Sequence, residues 1–197
     1  LGEYKIALDY INKALDLRTE YNLNSVDILH SYKSLSELYF IWNMQDKGNL
    51  YLSKTDSANN FIQKQVAEKS ENWDDITYKL SENYVGNCYE YKGEYLFRQK
   101  RFDQALIAYN TASSYYGDFT FQKVSLLNKK ANVFYMLSDF ENCLKVIEEC
   151  ILLSKEQNLQ NEEEKALELK IKVLNKLGLS SEIELTVEEI LINKDYR

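Results

Sequence analysis

The chain lacks the combinations of side chains that commonly catalyse reactions. Its 197 residues contain one histidine, His30, so no second imidazole is present to serve a serine, cysteine or threonine nucleophile. Neither a phosphate-binding loop nor another glycine-rich motif occurs. The acidic run NEEEKALE at 161–168 opens a predicted helix, where carboxylates complement the helix dipole. The sequence therefore predicts a protein that is not an enzyme, with no catalytic residue and no cofactor.

The three cysteines, Cys88, Cys143 and Cys150, are an odd number and cannot all pair within the chain. Cys143 and Cys150 are seven residues apart, which on one helix separates them by roughly 10 Å and exceeds disulfide reach. Their spacing matches no zinc-binding pattern. We interpret them as small buried hydrophobic residues in a reducing compartment, which predicts a cytoplasmic protein without a metal site.

Composition and charge narrow the range of partners. Apolar residues make up 45% and charged residues 28% of the chain, as in globular proteins. The formal net charge is −7 and the 24 basic residues are scattered, which disfavours nucleic-acid binding. No apolar run approaches the roughly 20 residues that cross a bilayer. Because the chain begins at Leu1 rather than Met, we expect it to be a fragment of a longer protein.

The chain contains no proline and only six glycines, a composition that favours long helices. Apolar residues recur at steps of three and four along nearly its whole length, while sustained alternation typical of strands is missing. Short polar joints separate these stripes. We therefore predict an all-α protein of about nine helices joined as antiparallel hairpins. The expected helix N-caps are Asp74, Asp118, Asp139 and Ser180.

Two segments repeat one arrangement of side-chain sizes. Residues 101–116 place Ala105, Tyr109 and Ala112 on one helical stripe, and residues 139–153 repeat this small–large–small order with Cys143, Ile147 and Cys150. The segment 2–17 has a similar stripe. Small residues allow two helices to approach closely, so Ala105 or Cys143 should lie where the second helix crosses the first helix of its hairpin. Ala112 or Cys150 should admit the first helix of the next hairpin. The large residue should fill the gap beyond the crossing.

This pattern resembles the tetratricopeptide repeat, a helix–turn–helix unit of about 34 residues. The resemblance implies a bacterial protein in which a right-handed superhelical stack of hairpins forms one domain over 1–197. The second helix of a truncated repeat would occupy 3–21, with hairpins at about 25–70, 74–116, 119–158 and 161–193. The proline that usually ends the second helix is missing, and the repeat intervals are irregular. We therefore expect lengthened helices at about 46–70 and 74–99.

Proteins of this family bind peptides or partner helices in a concave groove lined by the first helices of successive hairpins. Aligning the repeats maps the groove onto Lys33, Glu37, Phe40, Glu90, Glu94, Phe97, Arg98, Asn128, Asn132, Tyr135, Glu168, Lys172 and Asn175. Chaperone-cofactor members grip a C-terminal carboxylate with basic and asparagine residues. Glu37 stands here where asparagine is expected, so that activity is not carried over. Asn128 and Asn132, one turn apart, are expected to pair with a peptide backbone.

Three hypotheses for function follow. The first is a non-catalytic module that binds a protein or peptide, as the sensing or scaffold part of a larger bacterial regulatory protein. The second is a receptor that closes around a signalling peptide or small ligand, for which Glu90 and Glu94 suit a cationic peptide. The third is a structural array that self-associates, because an uncapped apolar face at the N-terminal end of the stack would form a homodimer.

Overall fold

The computed structural model describes residues 2–21, 25–67 and 75–195, and over these ranges it contains nine α-helices and no strand. This confirms the predicted all-α fold of paired helices. The helices are α1 (Gly2–Glu20), α2 (Ser25–Ile41), α3 (Gln45–Ala67), α4 (Asp75–Arg98), α5 (Phe102–Tyr115), α6 (Thr120–Met136), α7 (Phe140–Glu156), α8 (Gln160–Leu177) and α9 (Ser180–Asp195).

The chain divides into two compact units, Leu1–Asp118 and Phe119–Arg197. In unit 1, α2 packs on α3 and α4 packs on α5, while α2 also contacts α1 and α4. In unit 2, α6 packs on α7 and α8 on α9, and α6 also contacts α8. Within each unit the first helices of neighbouring pairs therefore lie side by side. The right-handed superhelical course and the single domain over 1–197 stay predictions.

One type of turn ends five of the helices and takes the place of the missing proline. Asn43, Lys100, Ser138 and Asn158 each adopt a positive φ of 55–63°, and Gly178 has φ 74°. In each turn the next residue donates its backbone N–H to the carbonyl five residues earlier, at 2.8–3.1 Å. This is the Schellman type of helix ending, which satisfies carbonyl groups that the helix leaves unpaired. Tight turns thus join successive helices without proline.

The N-cap predictions have mixed outcomes. Asp139 caps α7, where its side chain accepts a hydrogen bond from the backbone N–H of Asn142 at 3.2 Å. The prediction for Asp118 is wrong, because Phe119 is the N-cap of α6 and Asp118 forms an ion pair with Lys79 at 3.0 Å. Ser180 is the first residue of α9. Asp74, and the part of the predicted long helices within 68–74, lie outside the described residues.

The small residues of the repeated stripe are buried, and Cys143 lies at the crossing of α6 and α7 as expected, while Cys150 contacts the Val124 carbonyl of α6 at 3.6 Å. Ala105 and Ala112 are fully buried, and so are Cys143 and Cys150. The Cys143 thiol is 3.2 Å from the carbonyl oxygen of Ala131, and the two helices α6 and α7 meet there. Substituting a larger side chain at Cys143 would push these backbones apart.

Glycines on the facing helices receive large aromatic rings. The ring of Phe40 lies over Gly48, where an added Cβ would stand 2.8 Å from the ring. Tyr116 covers Gly86 and Tyr109 covers Gly93 in the same way, both within unit 1. Each ring packs directly on helix backbone, which only a residue without Cβ allows. Tyr109, the large member of the stripe, therefore fills the gap beyond the crossing by resting on Gly93.

Candidate functional site

Four predicted groove residues of unit 1 lie close together on α2 and α4: Lys33, Glu37, Glu90 and Glu94. Lys33 and Glu37 form an ion pair of 3.0 Å along α2, and their side chains are only 18% and 13% exposed. Burial raises the pKa of Glu37 to about 7; Lys33 opposes this rise, while Glu90 and Glu94 on α4 add to it. Because the charges of Glu90 and Glu94 act on Glu37, the three carboxylates lie close together.

The acidic side chains of this face are engaged within the protein. The Tyr116 hydroxyl donates to Glu90 and lies 3.1 Å from the amide oxygen of Asn87, a second acceptor for the same proton. Burial raises the pKa of Tyr109, and the charges of Glu94 and Glu90 raise it further. These contacts tie α4 to α5, so Glu90 has a structural role in addition to the predicted one.

Three other groove residues of unit 1 are also committed to packing or to backbone contacts. Phe40 is wrongly placed in the groove, because its side chain is fully buried between Gly48 and the ring of Tyr95. Arg98 donates a hydrogen bond to the carbonyl oxygen of Phe40 at 3.0 Å. Phe97 is half-buried, with its ring 5.5 Å from that of Phe102. The repeat alignment therefore assigned Phe40 to the groove, whereas its side chain packs in the core over Gly48.

His30 lies near the same face and packs against an aromatic ring. Its ring meets that of Tyr84 edge-on, with centroids 5.2 Å apart. Burial lowers the pKa of His30, and the charges of Lys33 and Arg18 lower it further. The imidazole is therefore an uncharged packing group at neutral pH.

In unit 2, four of the predicted residues line one open cleft of about 330 Å³ between α6 and α8. They are Asn128 and Asn132 from α6 and Glu168 and Lys172 from α8. The cleft is also lined by Ser125, Lys129, Glu162, Lys165 and Leu169. Three lysines face two glutamates in this set, so positive charges exceed negative ones by one. Leu169 is buried and contributes an apolar surface.

The two asparagines of this cleft have different roles. Asn128 is buried, and its amide nitrogen donates to both the backbone carbonyl and the carboxylate of Glu162, at 2.9 Å each. Asn132 is exposed and donates one N–H to the carbonyl oxygen of Asn128 at 2.8 Å. Its amide oxygen and second N–H are left to pair with a ligand. The expectation that both side chains hold a peptide therefore applies to Asn132 alone.

Sequence reasoning missed the buried carboxylate that organises this cleft. Glu162 accepts the Asn128 amide and pairs with Lys165 at 2.5 Å, although it is only 5% exposed. The acidic run was interpreted through the helix dipole alone. Lys165, the partner of Glu162, lies seven residues before Lys172 on the same stripe of α8. This spacing could have identified Lys165 as a residue of the cleft.

Two predicted residues of unit 2 do not line the cleft. Tyr135 is half-buried and packs its ring against that of Phe140, with centroids 6.2 Å apart. Asn175 is exposed one turn beyond Lys172, where its backbone carbonyl accepts the N–H of Gly178. Tyr135 supports the α6–α7 pair, and Asn175 belongs to the turn that ends α8.

The described part of the chain is built of paired helices, and in unit 2 a polar, charged cleft lies between the first helices of two neighbouring pairs. Comparison of the chain with protein-family models found no match, and comparison with curated proteins found none either. Across the described ranges, no helix combines the length and apolarity needed to span a membrane. The same part of the chain holds no cluster of metal-binding side chains.

Proposed function

We propose that the protein is a non-catalytic helical-repeat module, similar to tetratricopeptide repeats, that binds an extended peptide segment of a partner protein. Its proposed setting is the cytoplasm, as the sensing or scaffold part of a larger bacterial regulatory protein. The observation that carries this proposal is the α6–α8 cleft, where Asn132, Glu168 and Lys172 line one opening. The corresponding face of unit 1 is a weaker candidate because its charged groups largely contact one another.

The cleft combines the groups that recognise a peptide backbone and its side chains. An asparagine amide offers both a donor and an acceptor, which matches the paired N–H and C=O groups of an extended chain. Asn132 keeps one of each, since only one of its N–H groups bonds to Asn128. Lys172 lies across the cleft on α8 and is exposed, so it suits an acidic side chain on the ligand.

The cleft is held in shape before any ligand binds. The Asn128–Glu162–Lys165 contacts tie α6 to the first turn of α8, close to the exposed Asn132. Preorganisation of this kind lowers the entropy lost on binding. A rigid, polar cleft fits a peptide-binding role better than a mobile surface would.

The proposal can be tested by selecting ligands from a random peptide library and measuring their affinity by fluorescence anisotropy. We expect selected peptides to contain an acidic residue and to bind the Asn132→Ala/Lys172→Ala variant about tenfold or more weakly. A matched control is Asn110→Ala/Lys100→Ala, which removes the same groups from exposed positions of unit 1. Equal affinity of the cleft variant and the control, or failure to select any peptide, would contradict the proposal.

We propose self-association through α1 as a second candidate function. Ile6, Tyr10 and Leu17 are 57%, 68% and 52% exposed and lie on one stripe of this helix. An apolar stripe of this kind favours pairing with a second copy. Sedimentation velocity over a concentration series should show a dimer that Tyr10→Glu/Leu17→Glu abolishes. A monomer at all concentrations would exclude this function.

A further inference from the structure

Unit 1 contains a second concave feature, formed by other residues than those of the predicted groove. It is a pocket of about 280 Å³ with walls from α3 and α5 and a floor from α4. The floor carries Tyr89, Lys92 and Leu96, and the walls include Gln45, Arg101 and Ile107. None of the predicted binding residues lines this pocket.

Hydrogen bonds and ring stacking hold residues of the pocket in place. Arg101 and the Tyr95 hydroxyl both donate to the amide oxygen of Gln45, at 3.2 and 3.1 Å. The ring of Tyr89 stacks on that of Tyr115 with centroids 6.0 Å apart, and the Tyr115 hydroxyl donates to Asp56 at 3.3 Å. The volume of about 280 Å³ favours a small molecule over an extended chain.

The charge in this pocket is all of one sign. Lys92 and Arg101 are its two charged lining residues, and no carboxylate lines it. Lys92 forms no ion pair with any described residue; its ammonium group lies over the ring of Tyr89, 5.9 Å from the centroid. Burial lowers the pKa of Lys92, and the charge of Arg101 lowers it further. An anion placed between these two cations would stabilise both.

The remaining surface of the pocket suits a short hydrocarbon body. Leu96 is 3% exposed and forms part of the floor, while Ile107 on the α5 wall is 66% exposed. A ligand chain lying between them would cover Ile107, which otherwise contacts water. Gln45 can also orient a head group from the wall of α3.

We propose that this pocket binds a small organic carboxylate with a short apolar chain. Its head group lies between Lys92 and Arg101, and its chain covers Leu96 and Ile107. A free acid and the carboxyl-terminal residue of a short peptide share this chemistry. The small volume of the pocket favours the free acid. The site is separate from the α6–α8 cleft and does not depend on peptide binding there.

Isothermal titration calorimetry of the chain with hexanoate tests the proposal directly. We expect saturable binding in the millimolar range or tighter, at least about tenfold weaker binding of the uncharged hexanamide, and about tenfold weakening by Lys92→Met or Arg101→Gln. The control Lys100→Gln removes a neighbouring exposed charge and should leave the affinity unchanged. Lys92→Met keeps the aliphatic stem of the half-buried side chain, so its fold is checked by helical circular dichroism.

A third ligand, an N-acetylated tripeptide ending in leucine, distinguishes the source of the carboxylate. Hexanoate binding more tightly than the tripeptide supports the free acid. The reverse order overturns the choice of free acid and assigns the pocket to a peptide carboxyl terminus. Absence of hexanoate and tripeptide binding, or equal binding of hexanoate and hexanamide, overturns the site altogether.

Discussion

The ring of Tyr109 on α5 rests directly on the backbone of Gly93 on α4, so that no side chain at position 93 fits beneath the ring. Tyr109 is only 2% exposed, and the neighbouring Ala105 and Ala112 on its stripe are fully buried. Because Phe40 and Gly48 repeat the arrangement in the α2–α3 pair, close helix approach through glycine is a general device of unit 1. The groove residues on α4 are positioned by this packing.

We expect Gly93→Ala to destabilise unit 1. Alanine favours a helix over glycine by about 1 kcal/mol, but its Cβ would overlap the buried ring of Tyr109. Overpacking of this kind costs about 1–3 kcal/mol, which should exceed the helix gain. Urea denaturation followed by circular dichroism measures the difference. Combining the change with Tyr109→Leu should lose less stability than the two single changes summed; simple additivity would contradict the contact.

Asn128 and Asn132 should respond differently to replacement by alanine. Asn128→Ala removes two hydrogen bonds from the buried Glu162, so we expect the free energy of unfolding to fall by about 1–3 kcal/mol. Asn132→Ala removes an exposed amide and should leave stability nearly unchanged while weakening peptide binding. Thermal unfolding of both variants separates the roles. Equal destabilisation would show that Asn132 is also structural.

Glu37 should make unit 1 less stable as the pH rises. Burial raises its pKa in the folded protein to about 7 from an ordinary value of 4.5. Between these values the folded state holds more protons than the unfolded state, so stability falls with rising pH, by up to about 3 kcal/mol. Glu37→Gln should flatten this slope and unfold at higher urea than the original protein at pH 8. The exposed Glu148→Gln is the control, and an unchanged slope in Glu37→Gln would refute the assignment.

The three cysteines should resist modification while the protein is folded. Burial raises the pKa of Cys88 to about 12 and those of Cys143 and Cys150 to about 11. At pH 8 the thiols are therefore protonated and inaccessible, and only the thiolate is nucleophilic. Ellman's reagent should label none of them in native buffer and all three in guanidinium chloride. Rapid labelling of the native protein would contradict this prediction, because it would show that the packed helices separate enough to expose the thiols.

The helical fold could be predicted because its signals are local and repeated. The missing proline, the stripes at steps of three and four and the joints such as LSD all appear in the sequence. The small–large–small stripe also located the crossings at Ala105 and Cys143. The seating of Tyr109 on Gly93 could not be derived in detail, since it depends on how one helix is rotated against another.

The candidate site was predicted less completely, because residues on one helix face have alternative partners across the helix pair. The alignment grouped Asn132, Glu168 and Lys172, and these residues line one cleft between adjacent helices. It misplaced Phe40, because Gly48 on the facing helix leaves room for the Phe40 ring to pack in the core. It also missed Glu162, because a buried carboxylate depends on partners distant in sequence, here Asn128.

The most direct test of peptide binding is a titration of the ¹⁵N-labelled protein with a library-selected peptide, followed by heteronuclear NMR. We expect the amide signals that shift most to belong to α6 and α8, centred on Asn132 and Lys172 and including the side-chain amide of Asn132. Shifts of similar size concentrated instead on α1 or on the α3–α5 pocket, or no shifts at saturating peptide, would contradict the assignment of the α6–α8 cleft.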